Sequence, residues 1–178
     1  MSFMQYASRQ RGITLIEVLI ALLIFSIGLM GVAGLLVMSA RSVHTAYLRT
    51  QVTFLAQSMA DRMSANVIGV WKGYYNGSYP SSGAQSCERG CTPQQLAEHD
   101  KALWGSQLAT FLPPATKAKI SCSAAGVAYA PTLDQIASRP PYGGSCEMTI
   151  TWTERGLTVD SPDADDQSLQ TFAWEFQP

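Results

Sequence analysis

The chain has 178 residues, 47% of them hydrophobic and only 14% charged, with 12 Lys and Arg set against 13 Asp and Glu. That length makes one domain, or one domain with an appendage, and is enough to bury a core without metals or cross-links. The apolar content rules out a disordered chain, and the balanced charge argues against a basic nucleic-acid-binding protein. In chain order, the first feature is residues 18–38, VLIALLIFSIGLMGVAGLLVM, which carry no charge. As a helix this run spans about 31 Å, the thickness of a bilayer's hydrocarbon core, and it predicts one transmembrane helix. A cleaved secretory signal peptide is the alternative, with Arg9 and Arg11 as its basic region. The run exceeds the usual limit of about 15 apolar residues for such a signal, and no A-x-A-like site follows it. Arg9 and Arg11 hold the short N-terminal end in the cytoplasm and send the rest across, opposed only by Arg41.

Glu17 does not fit a plain anchor. An unpaired carboxylate entering the membrane costs on the order of 2 kcal/mol or more, so it calls for a partner. The competing reading places it at headgroup depth, where a first-turn Glu is favoured by the helix dipole. Beyond the membrane, no proline occurs from Ile13 to Tyr79, so the helix is expected to continue to about Asn66. Leu48, Val52, Leu55, Met59 and Met63 follow at spacings of three and four, one apolar stripe against which a globular head packs. Gly28, Gly31 and Gly34 interrupt the apolar half; small residues permit close helix contact, and each costs about 1 kcal/mol of helicity.

The segment GVWKGYYNGSYPSSGAQS reads as irregular loop. Thr92-Pro93-Gln94-Gln95 supplies an N-cap Thr, a first-turn Pro and the Gln of a capping box. The helix that follows should turn Leu96, Leu103, Trp104, Leu108 and Phe111 to the core and stop at Leu112, because Pro113-Pro114 cannot continue it. Strands are expected around Lys119–Ser123, over Met148–Thr153 with strict alternation, and over Leu169–Phe176, where Phe172, Trp174 and Phe176 share a face.

Four cysteines fit a disulfide framework in an oxidising compartment. Three pairings exist. Cys122 and Cys146 lie on predicted strands flanking one loop, and Cys87 and Cys91 enclose a small one, so the two local pairs are expected, contributing about 3.5 and about 2 kcal/mol on loop entropy. Zinc is disfavoured because paired C-x-x-C knuckles are missing, and a redox-active Cys87–Cys91 pair for want of C-x-x-C geometry. The acidic run Asp160–Asp166 lacks the ligand spacing of an EF-hand and reads as a solvated loop. His44 and His99 read as surface residues, and no nucleophile motif or phosphate loop is present. The sequence therefore implies no cofactor, metal, catalytic residue or enzymatic activity. Lys117, Lys119 and the tyrosines make no basic aromatic stripe for DNA.

Arg11-Gly12-Ile13-Thr14-Leu15-Ile16-Glu17-Val18, followed by LIALLIFSIGLMG, resembles the class III signal of type IV prepilins and type II secretion pseudopilins. The resemblance implies a prepilin peptidase cut between Gly12 and Ile13, N-methylation of Ile13, and Glu17 at the fifth mature position; Ile13 departs from the usual Phe. Loss of Arg9 and Arg11 with the leader leaves a net charge of −3. In a bundle of subunits, Glu17 of one chain would neutralise a neighbour's N-terminal ammonium and set axial register. In such filaments the helix commonly loosens, here near the three glycines.

LAQSMADRMSAN, with its Ala60-Asp61-Arg62-Met63 and Ala65-Asn66, the Cys87–Cys91 loop leading into TPQQLAEHDKALW, and CEMTITWTER resemble the minor pilins of the PilV, or type IV pilus modification protein, family. That resemblance implies an α+β, type IV pilin-like fold: a long N-terminal helix, transmembrane then amphipathic, packed on a small antiparallel sheet. The expected divisions are a cleaved leader 1–12, a transmembrane and polymerisation helix 13–39, its amphipathic continuation 40–68, and a periplasmic head 69–178. The implied partners are the prepilin peptidase, other minor pilins, the major pilin, the inner-membrane assembly platform and a tip adhesin. The implied role is priming of pilus assembly at or near the tip, in support of twitching motility and adhesion. A minor pseudopilin of type II secretion shares every membrane feature; a membrane-anchored periplasmic hydrolase is disfavoured for want of a nucleophile and base.

Overall fold

A computed structural model describes residues 12–80, 86–88, 90–155 and 167–178. The leader arginines and the acidic run 160–166 lie outside them. The elements are helix α1 (Leu15–Ala65), α2 (Val67–Trp71), strand β1 (Gly77–Tyr79), α3 (Pro93–Phe111), β2 (Lys117–Ser123), α4 (Leu133–Ile136), β3 (Ser145–Arg155) and β4 (Gln167–Phe176). Compactness divides the chain after Val43.

In the first unit, every large apolar residue from Ile13 to Met38 is at least 45% exposed. A helix apolar on all sides is made for apolar surroundings, and α1 is long and apolar enough to cross a membrane. Its one interior hydroxyl, Ser26 Oγ, donates to the Leu22 carbonyl at 2.7 Å and so presents no unmet donor. The helix runs unbroken through Gly28, Gly31 and Gly34 in this single chain; the loosening expected at those glycines concerns the assembled filament.

In the second unit the rest of α1 is part of a folded head. Leu48, Val52, Leu55, Met59 and Met63 are all buried, joined by Ala56 and Ala60 on the same face. The helix ends at Ala65, and residues 67 and 68 belong to α2 because Asn66 leaves helical geometry (φ −120°, ψ 56°) and its side chain caps the new helix, accepting from Gly69 N at 3.3 Å. On α3 the capping box is complete: Gln95 N donates to Thr92 Oγ1 (3.3 Å) and Thr92 N to Gln95 Oε1 (3.0 Å). The helix stops at Phe111, with Leu112 already extended before the prolines.

α3 buries Trp104 and Leu108 as expected, but its inward face is rotated away from the other three expected residues. Ala97, Asp100, Trp104, Gly105 and Leu108 face the core, whereas Leu103 (38%) and Phe111 (48%) are exposed and Leu96 is half-buried. Trp104 sets that rotation. It is fully buried, donates Nε1–H to the Leu55 carbonyl of α1 at 2.8 Å, and meets Tyr79 edge-to-face at 5.0 Å.

The four strands form one antiparallel sheet in the order β1-β2-β3-β4, each beside its chain neighbour. All three expected strands are present and longer than the alternation alone marked. Ala118, Ile120, Cys146, Met148, Ile150 and Trp152 point to the core, with Phe172, Trp174 and Phe176 half-buried against it. Strand β1 falls where irregular loop was expected. It pairs Gly77 with Ile120 and Tyr79 with Ala118, and Asn76 prolongs the pairing with its side chain: Cys122 N donates to Asn76 Oδ1 at 2.7 Å, and Asn76 Nδ2 donates to the Cys122 carbonyl at 3.4 Å. Between β2 and β3, Gly144 passes so close to Ser123 that a Cβ there would lie 2.2 Å from its carbonyl oxygen, which only glycine allows. The architecture is thus α+β and type IV pilin-like, a long N-terminal helix whose second half packs on a small antiparallel sheet.

Candidate functional site

The first candidate is the start of α1. Gly12, Ile13 and Thr14 precede the helix in non-helical, exposed backbone. The Gly12–Ile13 bond therefore lies in chain that a peptidase can grip without unwinding a helix. Thr14 opens α1: its Oγ1 accepts from Glu17 N at 3.4 Å, and its carbonyl accepts from Glu17 N (3.1 Å) and Val18 N (3.3 Å). Thr14-x-x-Glu17 is a capping-box signature that the sequence reading passed over, and it puts the Glu17 carboxylate in the first turn, where the helix dipole favours a negative charge. The cap engages the backbone of Glu17 and not its carboxylate.

The cysteines form two disulfides in the head, Cys87–Cys91 and Cys122–Cys146. Thiolate zinc ligation is thereby closed to all four. Among the described residues no cluster of three or more His, Cys, Asp or Glu is placed to hold a metal. His44 is exposed and His99 half-buried on α3.

The second candidate is a buried polar clamp. Arg62 and Asn66 lie four residues apart on and just past α1, so they project on one side of its last turn. Arg62 Nη1 donates to Asp100 Oδ1 on α3 at 3.1 Å. Asp100 Oδ2 accepts from Tyr75 Oη at 2.7 Å. Asn66 Nδ2 donates to Tyr75 Oη at 3.1 Å and to the Pro93 carbonyl at 2.7 Å, and Tyr79 Oη donates to the Tyr75 carbonyl. Asp100 (4%), Asn66 (5%), Tyr75 (0%) and Tyr79 (3%) are all buried. The network ties the end of α1 to α3 and to the loop leading into β1. Asp100 and Tyr75 escaped the sequence reading; the i, i+4 spacing of Arg62 and Asn66 was the signal present, but it cannot name partners so far along the chain.

Burial, with the bond to Asp100 second, pushes the Tyr75 phenol well above its ordinary value, and burial with the nearby Asp100 charge does the same to Tyr79. The folded head then keeps both protons at a pH where the unfolded chain has released them. Its stability should be unaffected by these groups below pH ~10 and fall above it by about 1.4 kcal/mol per pH unit for each tyrosine. Urea unfolding of the detergent-solubilised chain from pH 8 to 11 measures this. A flat profile would contradict the burial argument.

Residues 7–33 match the family model described as the prokaryotic N-terminal methylation motif. No curated protein and no solved structure matches the chain. The motif and the fold together support a type IV pilin or pseudopilin, processed by a prepilin peptidase and associated with other pilins. They fit anchoring in the inner membrane before assembly and point to a structural rather than an enzymatic protein.

Proposed function

We propose that the chain is a minor pilin that joins other minor pilins to prime type IV pilus assembly and resides at or near the pilus tip, in support of twitching motility and adhesion. In this reading the leader 1–12 is removed between Gly12 and Ile13, Ile13 is N-methylated, and Glu17 pairs with the N-terminal amine of a neighbour. The N-terminus is cytoplasmic and the head periplasmic until the subunit enters the extracellular filament through the inner-membrane platform. The partners are the other minor pilins, the major pilin and a tip adhesin.

The observation that supports the minor-pilin reading over a generic anchor is the clamp. Two of the segments that resemble the PilV family, one around Arg62 and Asn66 and one containing Asp100, meet in a single buried network. Segments singled out by that resemblance are thus joined in the folded head of this chain. Deleting the gene and scoring surface pili and twitching beside exoprotein secretion tests the role. Loss of pili and twitching with secretion intact is expected; lost secretion with normal pili would assign the chain to a type II secretion pseudopilus instead.

A further inference from the structure

The sheet has two edges, and they are treated differently. Strand β1 is three residues long and runs into Pro80, a short edge closed by a residue that cannot donate. Strand β4 is ten residues long, QSLQTFAWEF, with no proline, lysine or arginine. Its register with β3 runs from Cys146↔Phe176 to Arg155↔Gln167 without a bulge. Sheets usually blunt such an edge by shortness, proline, charged side chains or a bulge, and of these β4 has only the single charge of Glu175. Among the described residues no strand pairs with its outer side.

The two faces of β4 specify what would fit beside it. On the core side Phe172, Trp174 and Phe176 remain only partly buried, and the Trp174 and Phe176 rings stack at 4.7 Å, leaving a row of apolar contacts for alternate side chains of an added strand. On the other side Glu175 stands directly opposite Glu147 of β3, both are exposed, and among the described residues neither forms an ion pair. Like charges so placed destabilise a sheet, and a cation on the next strand would relieve them. A second copy of β4 has none to offer.

We propose that the outer edge of β4 takes an added strand from a partner protein: an extended segment, apolar at alternate positions facing Phe172, Trp174 and Phe176, with a lysine or arginine opposite Glu175. Main-chain hydrogen bonds along the edge give affinity, and the cation gives register. The proposal is independent of the pilus reading, because it rests on the edge, its aromatic row and its paired carboxylates alone.

The test uses the detergent-solubilised full chain and two synthetic ten-residue peptides of alternating valine and threonine, identical except for a lysine or a glutamate opposite Glu175. Dye-labelled peptide anisotropy gives affinity, and backbone hydrogen exchange locates the bound strand. The lysine peptide should slow exchange of the outward β4 amides and bind about threefold more tightly than the glutamate peptide. Glu175→Gln should abolish that preference and Glu175→Lys invert it; both changes sit on an exposed side chain whose present neighbour repels it. Three results would overturn the proposal: no β4 protection by either peptide, equal binding of both peptides to the unmodified chain, or β4 protection that needs no peptide and grows with protein concentration, which would make the occupant a second copy.

Discussion

Asp100→Ala should lower the unfolding free energy of the head by about 3 kcal/mol, the largest stability loss expected from any single polar substitution. Asp100 is 4% exposed, and its carboxylate accepts from Arg62 at 3.1 Å and from Tyr75 at 2.7 Å. Its removal strands a buried phenol and a guanidinium whose side chain is only 26% exposed. Tyr75→Phe should cost less, about 1–2 kcal/mol, since Asp100 keeps its ion pair and only the phenol's bonds to Asp100 and Asn66 are lost. Arg62→Ala combined with Asp100→Ala should cost clearly less than the two single losses together, because each single change leaves the other group unpaired. Urea midpoints for the set decide this. A loss below about 1 kcal/mol for Asp100→Ala, or strict additivity, would mean that the clamp is incidental to stability.

Glu17→Ala is expected to leave leader removal largely intact and to cut incorporation into filaments by roughly thirtyfold, the equivalent of about 2 kcal/mol for an N-terminal ammonium left without a counter-charge in the membrane. Immunoblots of sheared filaments against total membranes give the ratio. Glu17→Gln separates the two uses of the residue. The Thr14 cap engages only the backbone of Glu17, so the amide should preserve the helix start and still fail to neutralise an amine. Incorporation restored by Gln would refute the charge-pairing proposal and leave Glu17 as a helix-starting residue.

How legible these features were depended on how local their causes are. The buried stripe Leu48–Met63 could be read directly, because a helix repeats its face every three to four residues whatever it packs on. The Thr92 box and the Pro113 stop are local for the same reason. The same Thr-x-x-Gln signature opens α4 at Thr132, where Gln135 closes it, and went unread because the helix is a single turn amid a proline-rich stretch. The face of α3 was only partly legible because apolar size was taken as the guide: beside Trp104 and Leu108 the core side is built from two small residues and a carboxylate, so it looks less apolar than it is and Leu103 and Phe111 seemed to belong to it. What turns it inward is Trp104 reaching the Leu55 carbonyl and Asp100 reaching Arg62, both contacts between distant parts of the chain. Strand β1 escaped for a similar reason. Its segment has no alternation of its own and becomes a strand only because β2 offers an edge and Asn76 supplies an amide in place of backbone.

The register between β2 and β3 sets Cys122 directly opposite Cys146 on the core side. Because side chains alternate, a slip of one residue would send one of the two sulfurs to the far face of the sheet, and no bond could close. Once closed in an oxidising compartment, the bond would pin β2 and β3 to this frame.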